Sequence, residues 1–142
     1  MIKGVIFDWN RTLWDKENNR LMGSASYMIR ELKKRKYKIS VISKGTSDSL
    51  KKSGLEHYFD HILFVESKAE QHMIECLNEM RLKHNETLVV GDRIKGEIKV
   101  GNSLGMKTCW FRNGKFANEL PETDAEKPTH TITELRDVLK LI

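Results

Sequence analysis

The sequence is poor in the residues that commit a chain to a specialised class. Only two of its 142 residues are cysteines, Cys76 and Cys109. Neither belongs to a paired-cysteine motif, so no disulfide framework and no cysteine zinc site is expected. Both lie in apolar surroundings and read as small core residues. The five histidines, His57, His61, His72, His84 and His130, show neither HxH nor HExxH spacing. They read as surface or packing residues, with no metal role. Two prolines and nine glycines form no low-complexity segment or linker, and no internal repeat is present. One domain over residues 1–142 is expected. No apolar run approaches the roughly 18 residues of a membrane span. The opening MIKGVIFDWN reaches charge by Asp8, so it does not read as a signal peptide. A cytoplasmic location without membrane contact is expected.

What the chain does have fits a soluble globular protein: 39% hydrophobic and 32% charged residues. Its formal net charge is +5 and its pI about 9.2. Part of that charge clusters at Lys33, Lys34, Arg35, Lys36 and Lys38. The run reads as the solvated end of a helix, where cations suit the dipole. Steering of an anionic partner such as nucleic acid is the alternative.

Strand and helix patterns alternate. Lys3–Asp8 is a short apolar run ending in a carboxylate, as in a buried parallel strand. Ser24 is placed to N-cap a helix running to about Lys36, with Met28, Ile29 and Leu32 on its inner face. Lys38–Ser43 is a second strand, and Asp48–Ser53 a short helix stopped by Gly54. Ile62–Val65 is a third strand, Ala69–Arg81 a helix, and Thr87–Val90 a fourth strand. Ile94–Leu104 is expected to be helical, with Gly105 ending it, and Lys107–Phe111 is a fifth strand. Asn113–Pro128 reads as a surface loop. Thr131–Leu141 is expected to be an amphipathic helix with Leu135, Val138 and Leu139 inward. Thr131 and Glu134 have capping-box spacing, and Thr133 is the other candidate cap.

This alternation predicts a three-layer α/β/α sandwich around a mainly parallel, Rossmann-like sheet. Ligands in such sheets bind at the carboxyl ends of the strands. Those ends carry Asp8, then Ser43 with Lys44 and Gly45, then Gly91 with Asp92, and Lys68 follows the third strand. Two neighbouring carboxylates repel unless a cation neutralises them. Mg²⁺ does so with oxygen ligands, and it also lowers the cost of bringing a phosphate near an anionic nucleophile. Ser43 can donate to a phosphoryl oxygen, Gly45 lets backbone N–H groups come close, and Lys68 supplies a point charge. The set suits phosphoryl transfer through an aspartyl-phosphate.

These residues resemble the motifs of the haloacid dehalogenase (HAD) superfamily. Asp8-Trp9-Asn10-Arg11-Thr12-Leu13 is similar to the first motif, in which Asp-x-Asp-x-Thr is usual. Ser43 after Ile39–Ile42 resembles the second, Lys68 the third, and Val89-Val90-Gly91-Asp92-Arg93-Ile94-Lys95-Gly96-Glu97-Ile98 the fourth. Gly101-Asn102, Gly105–Thr108, Gly114–Phe116 and Lys127-Pro128 continue the likeness over almost the whole chain. The resemblance implies a Mg²⁺-dependent phosphohydrolase with Asp8 as nucleophile and metal ligand. It makes Asp92 a second ligand, the Asn10 backbone carbonyl a third, and Glu97 a support for the metal. Ser43 and Lys68 would hold the phosphoryl oxygens, and Thr12 would brace the loop around the nucleophile.

The sequence departs from that family pattern at two positions. Asn10 stands where phosphatases of the family carry an aspartate that acts as general acid and base. An amide does neither, a loss worth about 10²–10⁴-fold. Arg11 replaces a small residue, usually glycine, and places charge where it can bind an extra anionic group or obstruct small substrates. The intervals from Asp8 to Ser43 and from Ser43 to Lys68 leave no room for an inserted cap domain. Capless relatives act on large substrates or close the site by oligomerising, so the phosphorylated substrate is a small molecule or a macromolecule. Halide chemistry, which needs a dry pocket under a cap, is not expected. Trp9, Trp14 and Trp110 are either packing residues or an apolar rim. The alternative function is a non-catalytic phosphate- or protein-binding module, motivated by Asn10 and Arg11.

Overall fold

The computed structural model describes residues 1–142. In chain order the elements are β1 (Gly4–Phe7), β2 (Trp14–Asp15), β3 (Arg20–Leu21), α1 (Ala25–Lys34), β4 (Lys38–Lys44) and α2 (Asp48–Ser53). They continue with β5 (His61–Val65), α3 (Glu70–Met80), β6 (Thr87–Gly91), α4 (Lys99–Ser103), β7 (Lys107–Phe111) and β8 (His130–Ile132). Six strands form one sheet in the order β5-β4-β1-β6-β7-β8, and every pairing in it is parallel. The expected α/β/α sandwich is therefore present.

Strand periodicity builds the three layers. Val5 and Phe7 of β1, Ile39 and Val41 of β4, and Leu88 and Val90 of β6 face one side, under Met28, Ile29 and Leu32 of α1. Ile6, Ile42 and Val89 face the other, under Met73, Cys76, Leu77 and Met80 of α3. Both faces of the central strands are covered, which is why they read as continuous apolar runs. Cys76 and Cys109 are free and buried. Burial pushes both thiols up to about 12, so they pack as small apolar groups.

Several local expectations are corrected. Ser24 does not cap α1: its backbone is left-handed at φ 63°, and its hydroxyl makes no cap bond. Instead it accepts the Arg136 N–H at 3.2 Å, tying α1 to the chain's last turn. The helix expected over Ile94–Leu104 is broken. A wide π-type turn over Ile94–Ile98, non-helical at Gly96, precedes the short α4. The helix expected over Thr131–Leu141 is instead the edge strand β8 followed by a 3₁₀ segment, Leu135–Lys140. Neither Thr131 nor Thr133 caps it. Leu135 and Val138 are nevertheless buried, as their spacing required, while Leu139 is half-buried. Between Asn113 and Pro128 the chain makes two 3₁₀ turns, Gly114–Phe116 and Asp124–Glu126. The hairpin β2–β3 is an addition to the expected elements.

The cationic run closes α1, where Lys33 pairs with Asp60 at 2.8 Å and Arg35 with Glu31 at 3.2 Å. Only the β2–β3 hairpin and α1 separate β1 from β4, and only α2 with one 3₁₀ turn separates β4 from β5. No cap domain is inserted. No helix is long and apolar enough to cross a membrane.

Candidate active site

Parallel pairing aims every carboxyl end at one edge of the sheet, and the chemistry collects there. Asp8 follows the wholly buried β1, and its own N–H continues the ladder to Val90 O at 3.0 Å. Ser43 lies near the end of β4, Asp92 directly after β6, and Lys68 between β5 and α3. Asp8, Ser43, Asp92 and Glu97 are all at most 5% exposed.

Asp8 is surrounded by donors. Lys68 Nζ stands 2.7 Å from its Oδ1, Ser43 Oγ donates to the same atom at 3.2 Å, and Thr12 Oγ1 donates to Oδ2 at 3.2 Å. Lys68 also reaches Glu97 Oε2 at 2.8 Å. Burial works against the Lys68 charge, but Asp8 and Glu97 outweigh it and hold the ammonium above its ordinary pKa. The remaining Glu97 oxygen accepts the Arg93 N–H at 3.1 Å. Glu97 is thus fully engaged by protein donors, which fits a supporting position. Its burial raises its pKa, and Lys68 only partly offsets that.

Asp92 carries the opposite signature. Its Oδ2 is buried and has no hydrogen-bond partner. Burial, followed by the charges of Asp8 and Glu97, pushes its carboxyl up to about 9. An orphaned buried acceptor beside two further carboxylates is costly unless a proton or a cation takes it. One oxygen from each of Asp8, Asp92 and Glu97 lies within 4.8 Å of the others. This oxygen-rich donor set fits a hard divalent cation such as Mg²⁺.

Asn10 reaches the site through its backbone and holds it together through its side chain. Its N–H donates to Ser43 Oγ at 3.4 Å, and its Nδ2 donates to Lys44 O at 3.2 Å. Arg11 adopts φ 66°, the left-handed conformation that glycine takes without cost, so the usual glycine at this position has a backbone reason. Gly45, at φ 94°, turns the chain beside Asn10. Thr12 is fully buried behind Asp8 and does not line the cleft. It reaches the site through its hydrogen bond to Asp8, so the structure gives it no direct face toward the cleft, where a phosphate-binding residue would be expected to lie.

The carboxylates form the floor of an open cleft of about 740 Å³. Asp8, Asn10, Arg11, Ser43, Lys44, Gly45, Lys68, Asp92 and Glu97 all line it. Trp9 and Trp110 are packed inside: Trp9 donates to Ser49 Oγ at 2.8 Å and Trp110 to Asp92 O at 2.9 Å. Trp14 is mostly buried yet presents an edge to the cleft. The sequence reading missed Lys16, Asp48, Lys52 and Phe116. Lys16 sits on the β2–β3 hairpin, which Asp15 closes by accepting from the Asn18 N–H at 3.2 Å and Nδ2 at 2.8 Å. The Asp-x-x-Asn-Asn run was the available turn signal. Nothing in the 113–128 loop marked Phe116 as a cleft residue.

Comparison with known proteins agrees with this geometry. The profile of the haloacid dehalogenase-like hydrolases matches residues 1–111. Glyceraldehyde 3-phosphate phosphatase of Pyrococcus furiosus is 29% identical over 129 aligned residues, covering 84% of this chain and 53% of its own. (S)-2-haloacid dehalogenase of Pseudomonas sp. strain YL is 28% identical over 123, covering 80% and 51%. The chain spans about half the length of these curated relatives. Among solved structures, a HAD phosphatase from Thermococcus onnurineus superposes with a TM-score of 0.81 at 15% identity, over 99% of this chain and 97% of that one. A putative HAD-hydrolase from Bacillus subtilis bound to magnesium gives 0.72 at 21% identity, over 87% and 56%. These structures share the fold. With the profile match across most of its length and the four motifs at one sheet edge, the chain belongs to the haloacid dehalogenase-like hydrolase family.

Proposed function

We propose that the protein hydrolyses phosphomonoesters with Asp8 as nucleophile, at a rate limited by the amide at position 10. The observation that carries this reading is the donor set on Asp8. Lys68 and Ser43 converge on one oxygen of a buried carboxylate, where they can hold phosphoryl oxygens against it. The phosphatase names of the relatives agree with it. Phosphate is favoured over an organohalide because only two of the cleft's 21 lining residues are hydrophobic.

In this reading an Asp8 oxygen attacks phosphorus, the ester P–O bond breaks, and the leaving oxygen departs as an alkoxide. Water then attacks the aspartyl-phosphate, which releases inorganic phosphate and restores Asp8. Lys68 balances the charge of Asp8 and Glu97 and stays protonated throughout. Asp8, Asp92 and the Asn10 carbonyl would hold Mg²⁺, with Glu97 in support. When bound, the ion supplies charge neutralisation for the carboxylates and the phosphoryl oxygens. Asn10 cannot titrate, so the alkoxide takes its proton from water and the attacking water loses its own to solvent.

The test is release of inorganic phosphate from an activated aryl phosphate. Mg²⁺-dependent release by the wild type and none from Asp8→Asn is expected. Release that is independent of Mg²⁺, or equal in the variant, overturns the proposal. Asn10 itself favours a second reading, a non-catalytic phosphate- or protein-binding module. Mg²⁺-dependent phosphate binding without turnover would move that reading ahead.

A further inference from the structure

We propose that the cleft accepts phosphate esters whose leaving group carries a second anionic group, a phosphate or a carboxylate. This rests on the phosphohydrolase reading and names its substrate class.

The observation is the charge of the cleft wall above the reacting carboxylates. Beyond the floor the cleft is lined by six cations, Arg11, Lys16, Lys44, Lys52, Arg93 and Lys95. One carboxylate, Asp48, faces them, and it accepts a hydrogen bond from Thr46 at 3.2 Å. The six fall into two kinds. Arg11 and Arg93 are fixed in place: their guanidinium carbons stand 5.8 and 4.2 Å from the Phe116 ring centre. Glu17 holds Arg11 through Nε at 2.8 Å, and Glu119 holds Arg93 through Nη2 at 2.9 Å. The Nε of Arg93 is buried without an acceptor. Lys95 reaches outward to Glu122 at 3.2 Å. Lys16, Lys44 and Lys52 form no ion pair.

Cations converging on one concave surface focus a positive field into it. The transferred phosphoryl group does not use this wall, because Lys68 and Ser43 already address it at the floor. A neutral leaving group would leave the wall's charges to water. An apolar one would displace that water from the ammonium groups and offer only Trp14 and Phe116 as contacts. A second anion takes charge-assisted hydrogen bonds from the lysines and the free guanidinium nitrogens of Arg11. The wall thus separates this cleft from one suited to glyceraldehyde 3-phosphate, whose leaving group carries no charge.

The experiment compares kcat/KM, with Mg²⁺, across three-carbon esters. Glycerol 3-phosphate and glyceraldehyde 3-phosphate have uncharged leaving groups. 3-Phosphoglycerate carries a carboxylate as its second anionic group, and 2,3-bisphosphoglycerate adds a second phosphate. The charged pair is expected to be favoured by about tenfold or more, the worth of one charge-assisted hydrogen bond. The ratio should shrink with added salt. The double variant Lys16→Ala/Lys52→Ala should bring the ratio toward one, and Lys16→Arg/Lys52→Arg should recover it. A wild-type ratio of one or below, or a ratio the double variant leaves intact, overturns the proposal. If no ester turns over, including the aryl phosphate, the phosphohydrolase reading fails by itself. Calorimetry on Asp8→Asn with Mg²⁺ then decides the wall: tighter binding of 2,3-bisphosphoglycerate than of glycerol 3-phosphate supports the second-anion site, and equal affinity overturns it.

Discussion

An amide in place of a carboxyl at position 10 removes the one titratable group that the family's first motif sets beside its nucleophile. The structure adds a second consequence. Asn10 Nδ2 donates to Lys44 O, and a carboxylate cannot donate, so Asn10→Asp must turn its side chain away from that carbonyl. Two effects of opposite sign are therefore expected. Stability should fall by about 0.5–1.5 kcal/mol, the net worth of one hydrogen bond. Turnover should rise, by up to about 10²-fold, and more for alkyl phosphates, whose leaving oxygen needs a proton, than for aryl phosphates. Parallel thermal melts and kcat/KM on the two substrates check both. No gain on either substrate would assign acid–base work to another group. Arg11 carries a cost of its own: a non-glycine residue at its left-handed φ loses roughly 1–2 kcal/mol. Arg11→Gly relieves that strain but removes a cation from the cleft wall. It is expected to lower kcat/KM for 3-phosphoglycerate while leaving the melting temperature unchanged or higher, and a marked fall in melting temperature would refute the strain argument.

Among the elements, the segment from β6 through the π-type turn shows why a motif can be legible when its conformation is not. Gly91, Asp92 and Glu97 stand out in the sequence at a strand end, yet regular helix was expected after them. The turn is wide because Glu97 folds back to receive Lys68 and the Arg93 N–H. A Cβ on Gly91 would collide with the Glu97 carboxylate. Gly91→Ala should therefore displace Glu97 and cost about 1–3 kcal/mol, as overpacking does. It should also weaken Mg²⁺ binding, which titration calorimetry would read, and unchanged stability and affinity together would show that the turn adapts. The same logic separates what the sequence showed from what it hid. The inner strands β1, β4, β6 and β7 were legible because both of their faces are largely apolar, and the edge strand β5, half-buried throughout, was legible from its run Ile62–Val65. Asp8, Ser43, Lys68 and Asp92 were legible because parallel topology puts strand ends at one edge. β8 was hidden because an edge strand of three residues carries no periodicity of its own, and Leu135 and Val138 suit a helix or a 3₁₀ turn equally. The cleft wall was hidden because Lys16, Lys52 and Phe116 come from a hairpin, a short helix and a loop that only the folded chain brings together.

Across the whole molecule, the buried carboxylates link stability to pH and, on the proposed function, to divalent cations. The pKa of Asp92 rises from an ordinary 3.8 to about 9, through burial first and then through Asp8 and Glu97. Glu97 is raised as well, again by burial first. Without metal, the native protein thus retains protons between roughly pH 4 and 9 that the unfolded chain has released. Stability must then fall as pH rises through that window. Lys68 does not reverse this trend, because its pKa is raised from 10.5 and its effect lies above the window. The carboxylates held below their ordinary values by hydrogen bonds, Asp15, Glu17 and Glu86, exert their pH effect at the acid edge of that window. A divalent cation held by these carboxylates would take the place of the retained protons, so its stabilisation should grow with pH over the same range. Melting temperatures in chelator and in Mg²⁺, from pH 5 to 8.5, would show this as two curves that diverge upward in pH. Asp92→Asn replaces the titrating group with a neutral one of the same shape. Its chelator curve should be flatter than the wild type's and its Mg²⁺ shift smaller. A wild-type chelator curve that rises with pH would refute the raised carboxyl of Asp92, and a Mg²⁺ shift that Asp92→Asn leaves intact would remove Asp92 from the cation site.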